Sequence, residues 1–451
     1  MSNTRPIHIL GIAGTFMAGV AALAKEAGIP VSGSDAKVYP PMSTLLEGMK
    51  IPVNEGYENT AALTDKTIVI GNALSRGNPA VEYVLNHKLP YTSGPQWLHE
   101  NVLGEKTVLA VAGTHGKTTT ASILAWILHK AGRGTTPGFL IGGKPGNFEY
   151  SATMGNSDLF VVEADEYDTA FFDKRSKFVH YHPQVAILNN LEFDHADIFA
   201  DLDAIKTQFH HLIRTVPQNG KLIVNADEPN LDDVINMGCW TPIEYFSTES
   251  DQAQWFARET EPDCQQFDVF HAGQTARVNW PGMGKHNMRN ALAAIAAACQ
   301  VGVLLEDACS ALGEFRFPNK RLQRHATKAG FTLFEDFAHH PTAISYTLDT
   351  LRKAYPVQRL IALLELRSNT MQMGVHRRTL VPALKQADIA CVVNHAEEGW
   401  KLDRDEHPDL QQFSKIDECL AYMLPRLEAN DVIVVMSNGD FDGIVDSLTQ
   451  A

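Results

Sequence analysis

The run Gly113-Thr114-His115-Gly116-Lys117-Thr118-Thr119-Thr120 places a lysine and a line of hydroxyls directly after two glycines. That order suits a polyphosphate. The glycines let backbone N–H groups close around phosphate oxygens, Lys117 carries a mobile positive charge to the β and γ phosphates of a nucleotide, and Thr118 offers a hydroxyl to Mg2+. The apolar run Val108 to Ala112 leads in, and a pattern with Ala121, Leu124, Ala125 and Leu128 on one helical face leads out. The context is strand, loop, helix. A strict Walker pattern would put glycine at Val111, so the match is to a variant, A-x-x-G-T-x-G-K-T, beginning at Ala110.

A phosphate loop needs acids for its metal. Leu159 to Val162 ends in Glu163-Ala164-Asp165-Glu166, and Val185 to Leu188 runs into Asn189-Asn190-Leu191-Glu192-Phe193-Asp194-His195. The C-terminal ends of parallel strands are where an α/β sheet assembles its site. Mg2+ prefers oxygen, so Glu163 and Thr118 fit as direct ligands, whereas the His195 imidazole suits a second metal or a water-mediated contact. Each acid alone reads equally well as a solvated loop charge. A second glycine loop, Gly11-Ile12-Ala13-Gly14, follows Ile7 to Leu10 and precedes a helical stretch from about Met17 to Ala27, with Asp35 near the end of the next strand. It suits a diphosphate or a tight turn. Ala13 stands where a nicotinamide-binding fingerprint has its second glycine, and nothing downstream supplies hydride chemistry.

Short apolar runs alternating with helical patterns must position these loops, the signature of parallel α/β sheets. The strands fall into three groups: Ile7 to Leu10, Val31 to Gly33 and Ile68 to Ile70; then Val108 to Ala112, Leu159 to Val162, Val185 to Leu188 and Leu222 to Val224; then Phe331 to Phe334, Leu360 to Leu364, Ile389 to Val393 and Val432 to Met436. Boundaries near residues 105 and 315 separate them, and 451 residues agree with three domains at about 150 residues each. A net charge of −15 repels polyanions and argues against a nucleic-acid binder. The six scattered cysteines read as reduced core thiols. The Ala-rich run Ala291 to Leu305 reads as a buried helix, too short for a bilayer, and no signal-peptide pattern opens the chain, so a cytoplasmic enzyme without membrane insertion is expected.

The strings GTHGKTTT, EADEYD, NNLEFDH, GKHNMRNALAA and EDFAHHPT, in this order, resemble the Mur ligases of bacterial cell-wall synthesis over the whole chain. More narrowly, AKVYPPMSTLLE, DTAFFDKRSKFVHY, LEFDHADIF, FHHLIRTVP, RSNTMQMGVH and SNGDFDGI resemble the branch that serves peptidoglycan recycling. The resemblance implies three α/β domains: a Rossmann-like UDP-N-acetylmuramate-binding domain (1–105), a central P-loop ATPase domain (106–315) and a C-terminal Rossmann-like, peptide-binding domain (316–451). It implies an ATP- and Mg2+-dependent, ADP-forming ligase. Its reaction joins L-alanyl-γ-D-glutamyl-meso-diaminopimelate to UDP-N-acetylmuramate through an acyl phosphate, in cell-wall biogenesis and hence cell shape and division. No protein partner is specified. The runner-up accepts free L-alanine in de novo peptidoglycan synthesis.

Carried over residue by residue, Gly11 and Gly14 face the UDP-sugar diphosphate, and Asp35, Ser75, Arg76, Asn78 and Ser93 are uridine-side or sugar-side positions. Gly113, Thr114, His115, Gly116, Lys117, Thr118 and Thr119 hold ATP; Thr118, Glu163 and His195 match the metal positions; His286, Asn287 and Asn290 match the motif beside adenine. Without the resemblance, Asn287 and Asn290 read as a helix start and an exposed polar position. Arg321 and Asp336 match positions that reach the nucleotide when domains close, so an open unliganded form is expected. His339 and His340 are candidates for accepting the amine proton or for positioning, and otherwise mark the start of a helix at Pro341. Arg367, Ser368, Asn369 and Thr370 match the peptide site, where Arg367 suits a carboxylate; by composition alone it is a surface arginine.

The chain departs from the pattern in places. Relatives adding later residues carry a carbamoylated lysine about fourteen residues beyond His195; Phe209 stands there, with Lys206 three earlier, and no modification is predicted. Lys320 replaces one of two usual arginines, and Asp440 and Asp442 replace glycines of the last loop. Two other classes compete. A phosphate-loop switch or transport ATPase would hydrolyse ATP without a UDP-sugar, and a nicotinamide oxidoreductase would bind NADH.

Overall fold

A computed structural model describes residues 5–39, 42–328, 330–395, 400–402 and 407–450; Pro40 and Pro41 of the AKVYPPMSTLLE segment lie outside these. Three sheets organise the described chain, apart from a two-stranded hairpin. The first is all parallel, in the order Val53–Glu55, Val31–Asp35, Ile7–Leu10, Thr67–Ile70, Tyr91–Ser93. Ile7–Leu10 is buried along its whole length, as a parallel strand covered on both faces must be.

The central sheet has ten strands. Its middle is Thr107–Ala112, which delivers the phosphate loop and pairs in parallel with Leu159–Ala164 on one side and Val185–Leu188 on the other. The acids predicted after those two strands therefore flank the loop. Lys221–Asn225 and Ile243–Ser247 extend the sheet in parallel, and Trp255–Glu259, Gln266–His271 and Gln274–Asn279 finish that edge, the last three as an antiparallel meander. Sequence periodicity did not reveal this edge. Its strands bury only alternate residues and never form a continuous apolar run. The helix Lys117–Ala131 lies against Lys285–Gln300, whose small alanines permit close approach. The apolar run from Ala291 is not one helix to Leu305: it ends at Gln300, turns through Gly302 at φ +93°, and resumes as Leu305–Ala311.

The third sheet runs Gln323–His325, Thr332–Asp336, Val432–Met436, Leu360–Glu365, Ile389–Val393, Leu410–Phe413, antiparallel only at its first pair. In its last loop Phe441 and Asp442 take positive φ (+48° and +46°), the conformation for which glycine is the ordinary choice. All six cysteines are free thiols.

The third domain is docked against the central one. Thr370 Oγ1 donates to Asp194 Oδ1 (3.0 Å) and accepts from the Ala196 amide (3.2 Å), Asn369 Nδ2 donates to Asp197 Oδ2 (3.2 Å), and Thr342 Oγ1 donates to Glu192 Oε1 (2.9 Å). Short donors on helices of the third domain meeting acids of the central one make this seam. On the other flank, Glu26 of the first-domain helix Thr15–Glu26 accepts from Thr153 Oγ1 at 3.0 Å. A Cβ on Gly19 of that helix would stand 2.4 Å from Leu140 Cδ1, so the helix packs closely there and a larger residue would displace the Leu140 side chain.

Phe209, fully buried, meets Phe178 edge-on at 5.5 Å between centroids. Phe209→Ala is expected to destabilise the chain by about 3–5 kcal/mol, read as a lower melting temperature or urea midpoint. An unchanged midpoint would refute that packing.

Candidate active site

A cavity of about 1010 Å3 lies where the three sheets converge. The first sheet's domain contributes Thr15, Met42, Thr44 and Leu45; the central sheet contributes the phosphate loop and its acids; the third contributes Arg321, Asp336 and His339. Gly113 (φ +152°) and Gly116 (φ +77°) bend the chain out of the strand and into the helix. At Gly116 a Cβ would fall 2.6 Å from Asn290 Oδ1, which also accepts from Asn189 Nδ2 at 2.7 Å. Asn287 and Asn290 are therefore buried parts of the loop's support and not exposed polar positions. His286 stacks on Tyr346, with centroids 5.7 Å apart.

Lys117 Nζ contacts Glu166 Oε2 at 2.7 Å and Asp165 Oδ1 at 3.8 Å. Burial alone would make the ammonium easier to deprotonate, but Glu166 and Asp165 outweigh it and hold the Lys117 pKa above its ordinary value. Glu163 accepts from Thr118 Oγ1 at 3.0 Å and from the Gly142 amide at 2.7 Å. Burial still pushes its pKa up, so this carboxylate is short of positive charge. Asp165, Glu166 and His195 bring ligand atoms within 4.8 Å of one another. His195, at φ +54°, points Nε2 towards Glu166 Oε1 at 3.6 Å; burial opposes its protonation, but the surrounding carboxylates prevail and raise its pKa. An oxygen-rich group beside a phosphate loop fits Mg2+, and Glu163 and Thr118 fit with it.

Glu192 forms a second hub, in contact with His115 Nε2 (2.9 Å), His340 Nδ1 (3.3 Å) and Thr342 Oγ1. Burial opposes its ionisation, yet the His115 contact and the neighbouring histidines hold its pKa down to about 2. His340 is thus tied to the seam and caps the helix Pro341–Ala354. His339 instead lines the cavity, its Nδ1 2.9 Å from the Phe337 carbonyl and its pKa lowered by burial. Asp336 accepts from the Leu322 and Ala338 amides (2.7 and 2.8 Å) and from Thr347 Oγ1 (3.2 Å), which fixes it beside Arg321.

The sugar-side positions are less convergent. Asp35 Oδ2 accepts from the Ala13 amide at 2.8 Å and so shapes its own glycine loop, where Gly11 takes φ +81° and Gly14 precedes the helix. Asn78 and Ser93 cap helices, Arg76 pairs with Glu82 at 2.8 Å, and Ser75 is exposed; none of these lines the cavity. On the peptide side, Ser368 caps a helical turn, and Asn369 and Thr370 are spent on the seam. Arg367 remains half-exposed, 4.0 Å from Glu365. Lys206 pairs with Asp233 at 2.7 Å, and Phe209 is in the core. Asp165 and Glu166 were legible as acids but not as partners of Lys117. Lys177, whose ammonium is 2.8 Å from Asp165, carried no signal within the charged run DKRSK.

Burial, then Arg289 and Arg321, lower the His286 pKa to about 4. The unfolded imidazole takes up its proton near pH 6.5 and the folded one only near 4, so His286 withdraws stability as pH falls between those values. His286→Gln should therefore lose less melting temperature than the parent between pH 7.5 and pH 5; an equal or larger loss would rule this out.

Three family descriptions match in succession: "Mur ligase family, catalytic domain" over residues 6–105, "Mur ligase middle domain" over 111–298 and "Mur ligase, glutamate ligase domain" over 320–439. The chain is 50% identical over 444 residues to the UDP-N-acetylmuramate–L-alanyl-γ-D-glutamyl-meso-2,6-diaminoheptandioate ligase of Escherichia coli, covering 97% of this chain and 96% of that one. The crystal structure of a murein peptide ligase from Psychrobacter arcticus superimposes with a TM-score of 0.77 at 44% identity, covering 98% of each chain. The UDP-N-acetylmuramate–L-alanine ligase of Syntrophomonas wolfei is 31% identical over 456 residues, covering 96% of this chain and 94% of that one. On this likeness across its whole length, the chain belongs to the Mur ligase family.

Proposed function

We propose that this protein is an ATP-dependent, ADP-forming ligase that joins L-alanyl-γ-D-glutamyl-meso-diaminopimelate to UDP-N-acetylmuramate, in the cytoplasm, as a step of peptidoglycan recycling. The observation that carries the reading is the convergence of a phosphate loop, an acid cluster and residues from all three sheets on one cavity. The choice of tripeptide over L-alanine rests on the closer likeness to the tripeptide ligase, 50% against 31% identity. We take residues 1–105, 106–315 and 316–451 as the sugar, ATP and peptide domains.

The muramyl carboxylate attacks the γ phosphate of ATP, giving an acyl phosphate and ADP; the peptide amine then attacks the acyl carbon and phosphate leaves. No protein nucleophile is required, so the protein's work is positioning and charge neutralisation. Lys117 exchanges Glu166 for phosphate oxygens. Thr118, Glu163 and His195, with Asp165 and Glu166 near them, would hold Mg2+, which supplies positive charge to the phosphates. His286, Asn287, Asn290, Arg321 and Asp336 hold the nucleotide, and Gly11 to Gly14 hold the sugar diphosphate.

The amine must lose a proton, and an α-amine with a pKa of about 8 needs only modest help. His339 suits this better than His340. Its buried ring stays neutral and directs Nδ1 to the Phe337 carbonyl, leaving Nε2 as the acceptor. Arg367 meets a carboxylate of the peptide.

Phosphate release with UDP-N-acetylmuramate and ATP tests the reading. The tripeptide should drive turnover and L-alanine should not, and Lys117→Ala should lower the rate by about 10²–10³. Turnover with L-alanine alone would reassign the acceptor, and near-normal turnover by the lysine variant would overturn the role of the loop.

A further inference from the structure

Lys177 falls within the DTAFFDKRSKFVHY string but was given no role there, yet it is a lysine only 8% exposed. The hairpin Asp168–Ala170 and Asp173–Ser176 leaves the acid strand, turns, and returns the chain so that the Lys177 amide donates to the Tyr167 carbonyl at 3.0 Å. This places the ammonium under the acids it started from. Its Nζ is 2.8 Å from Asp165 Oδ2, 5.5 Å from the Tyr167 ring centroid and 5.7 Å from that of Phe16. Phe16 belongs to the first-domain helix that follows the Gly11–Gly14 loop. An ammonium has three donors, and among the described residues this one meets a single acceptor. Thr15, next to Phe16, and Asp165 both line the cavity. Lys177 does not itself line the cavity; its ammonium stands behind Asp165, between that carboxylate and the first-domain helix, so an entering carboxylate would meet it beside Asp165.

The proposed reaction needs a cation at that place. An attacking carboxylate approaches a polyphosphate that is itself negative, and Lys117 and Mg2+ are committed to the phosphates. Lys144, Arg289 and the third-domain residues Lys320 and Arg321 approach the cavity from other elements: Lys144 is exposed, Lys320 is tied to the Gly439 carbonyl at 2.7 Å and Arg321 lies over the Phe337 ring. Resting on the reading of the acceptor as a UDP-linked sugar acid, we propose that Lys177 binds the acceptor's carboxylate and aligns it for attack on the γ phosphate. The two aromatic faces beside the ammonium keep water away and strengthen the contact.

The test compares two UDP-sugars that differ at the acid: UDP-N-acetylmuramate, and UDP-N-acetylglucosamine, which lacks the lactyl carboxylate. Their affinities are measured by calorimetry, without turnover, for the parent, Lys177→Met and Lys177→Arg, with melting temperatures as a check of folding. Lys177→Met should weaken UDP-N-acetylmuramate roughly 10- to 100-fold, the range for losing one hydrogen bond between charged groups, and leave UDP-N-acetylglucosamine within about 3-fold. Lys177→Arg should restore part of the loss. Equal weakening of both sugars, no weakening of either, or a matching loss of Mg-ATP affinity would make Lys177 a structural partner of Asp165 and overturn the assignment. A parent protein that binds neither sugar would sink the proposed function itself; one that binds UDP-N-acetylmuramate undiminished after substitution sinks only the role of Lys177. If Lys177→Met melts early, Lys177→Gln decides: a lost preference for the carboxylate-bearing sugar supports the contact, and a preference equal to the parent's overturns it.

Discussion

Negative charge crowded into a space with little water is the constraint on which this structure turns. Glu163, Asp165 and Glu166 follow one strand, Glu192 and Asp194 follow another, and the phosphate-loop strand runs between them. Ionised carboxylates so placed are costly unless cations stand against them. Lys117, Lys177 and His195 supply that charge from three separate chain segments. Because an ammonium is a compact, mobile charge, in the proposed reaction the compensation would pass to a divalent ion and phosphate without moving the sheet. Glu163, whose pKa burial raises, is the member left most in need of such an ion.

The same electrostatics links the domains. Acids on the loop after Val185–Leu188 face short hydroxyl and amide donors of the third sheet, and the bonds at Thr342, Asn369 and Thr370 bring Arg321, Asp336 and His339 to the nucleotide loop. The polar seam thus holds the third domain against the central one. On the opposite flank, contact through Gly19 and Lys177 brings the first glycine loop to the acid cluster. Residues of all three domains therefore meet at one cavity, as the proposed three-substrate reaction requires.

Much of this was legible in the residues. Strands buried on both faces announce themselves as apolar runs, so the inner parallel strands of all three sheets were predictable and the glycine–lysine–threonine run declared its chemistry, whereas the short parallel strands Val53–Glu55, Tyr91–Ser93, Gly138–Leu140, Ile243–Ser247 and Leu410–Phe413 were not. The meander from Trp255 to Asn279 was not, because one face of each strand is wet and the apolar pattern is broken. The break after Gln300 was masked by alanines continuing the apolar count past a glycine turn. At the site, chemistry within one segment was readable, whereas pairings across segments were not. Lys177 meets Asp165 only because a hairpin folds back, and Asn290 supports Gly116 across 174 residues, from 116 to 290. Asn78, Ser93 and Ser368 have types suited to ligand binding and also cap helices, which ask for the same hydrogen-bonding groups.

The chemical core of this picture is that the acceptor's own carboxylate oxygen attacks the nucleotide. UDP-N-acetylmuramate labelled with oxygen-18 in its carboxylate, incubated with ATP, Mg2+ and the tripeptide, distinguishes that route from any other. Mass analysis of the released phosphate should find one labelled oxygen per turnover of fully labelled substrate. Unlabelled phosphate accompanying formation of the UDP-linked peptide would contradict it.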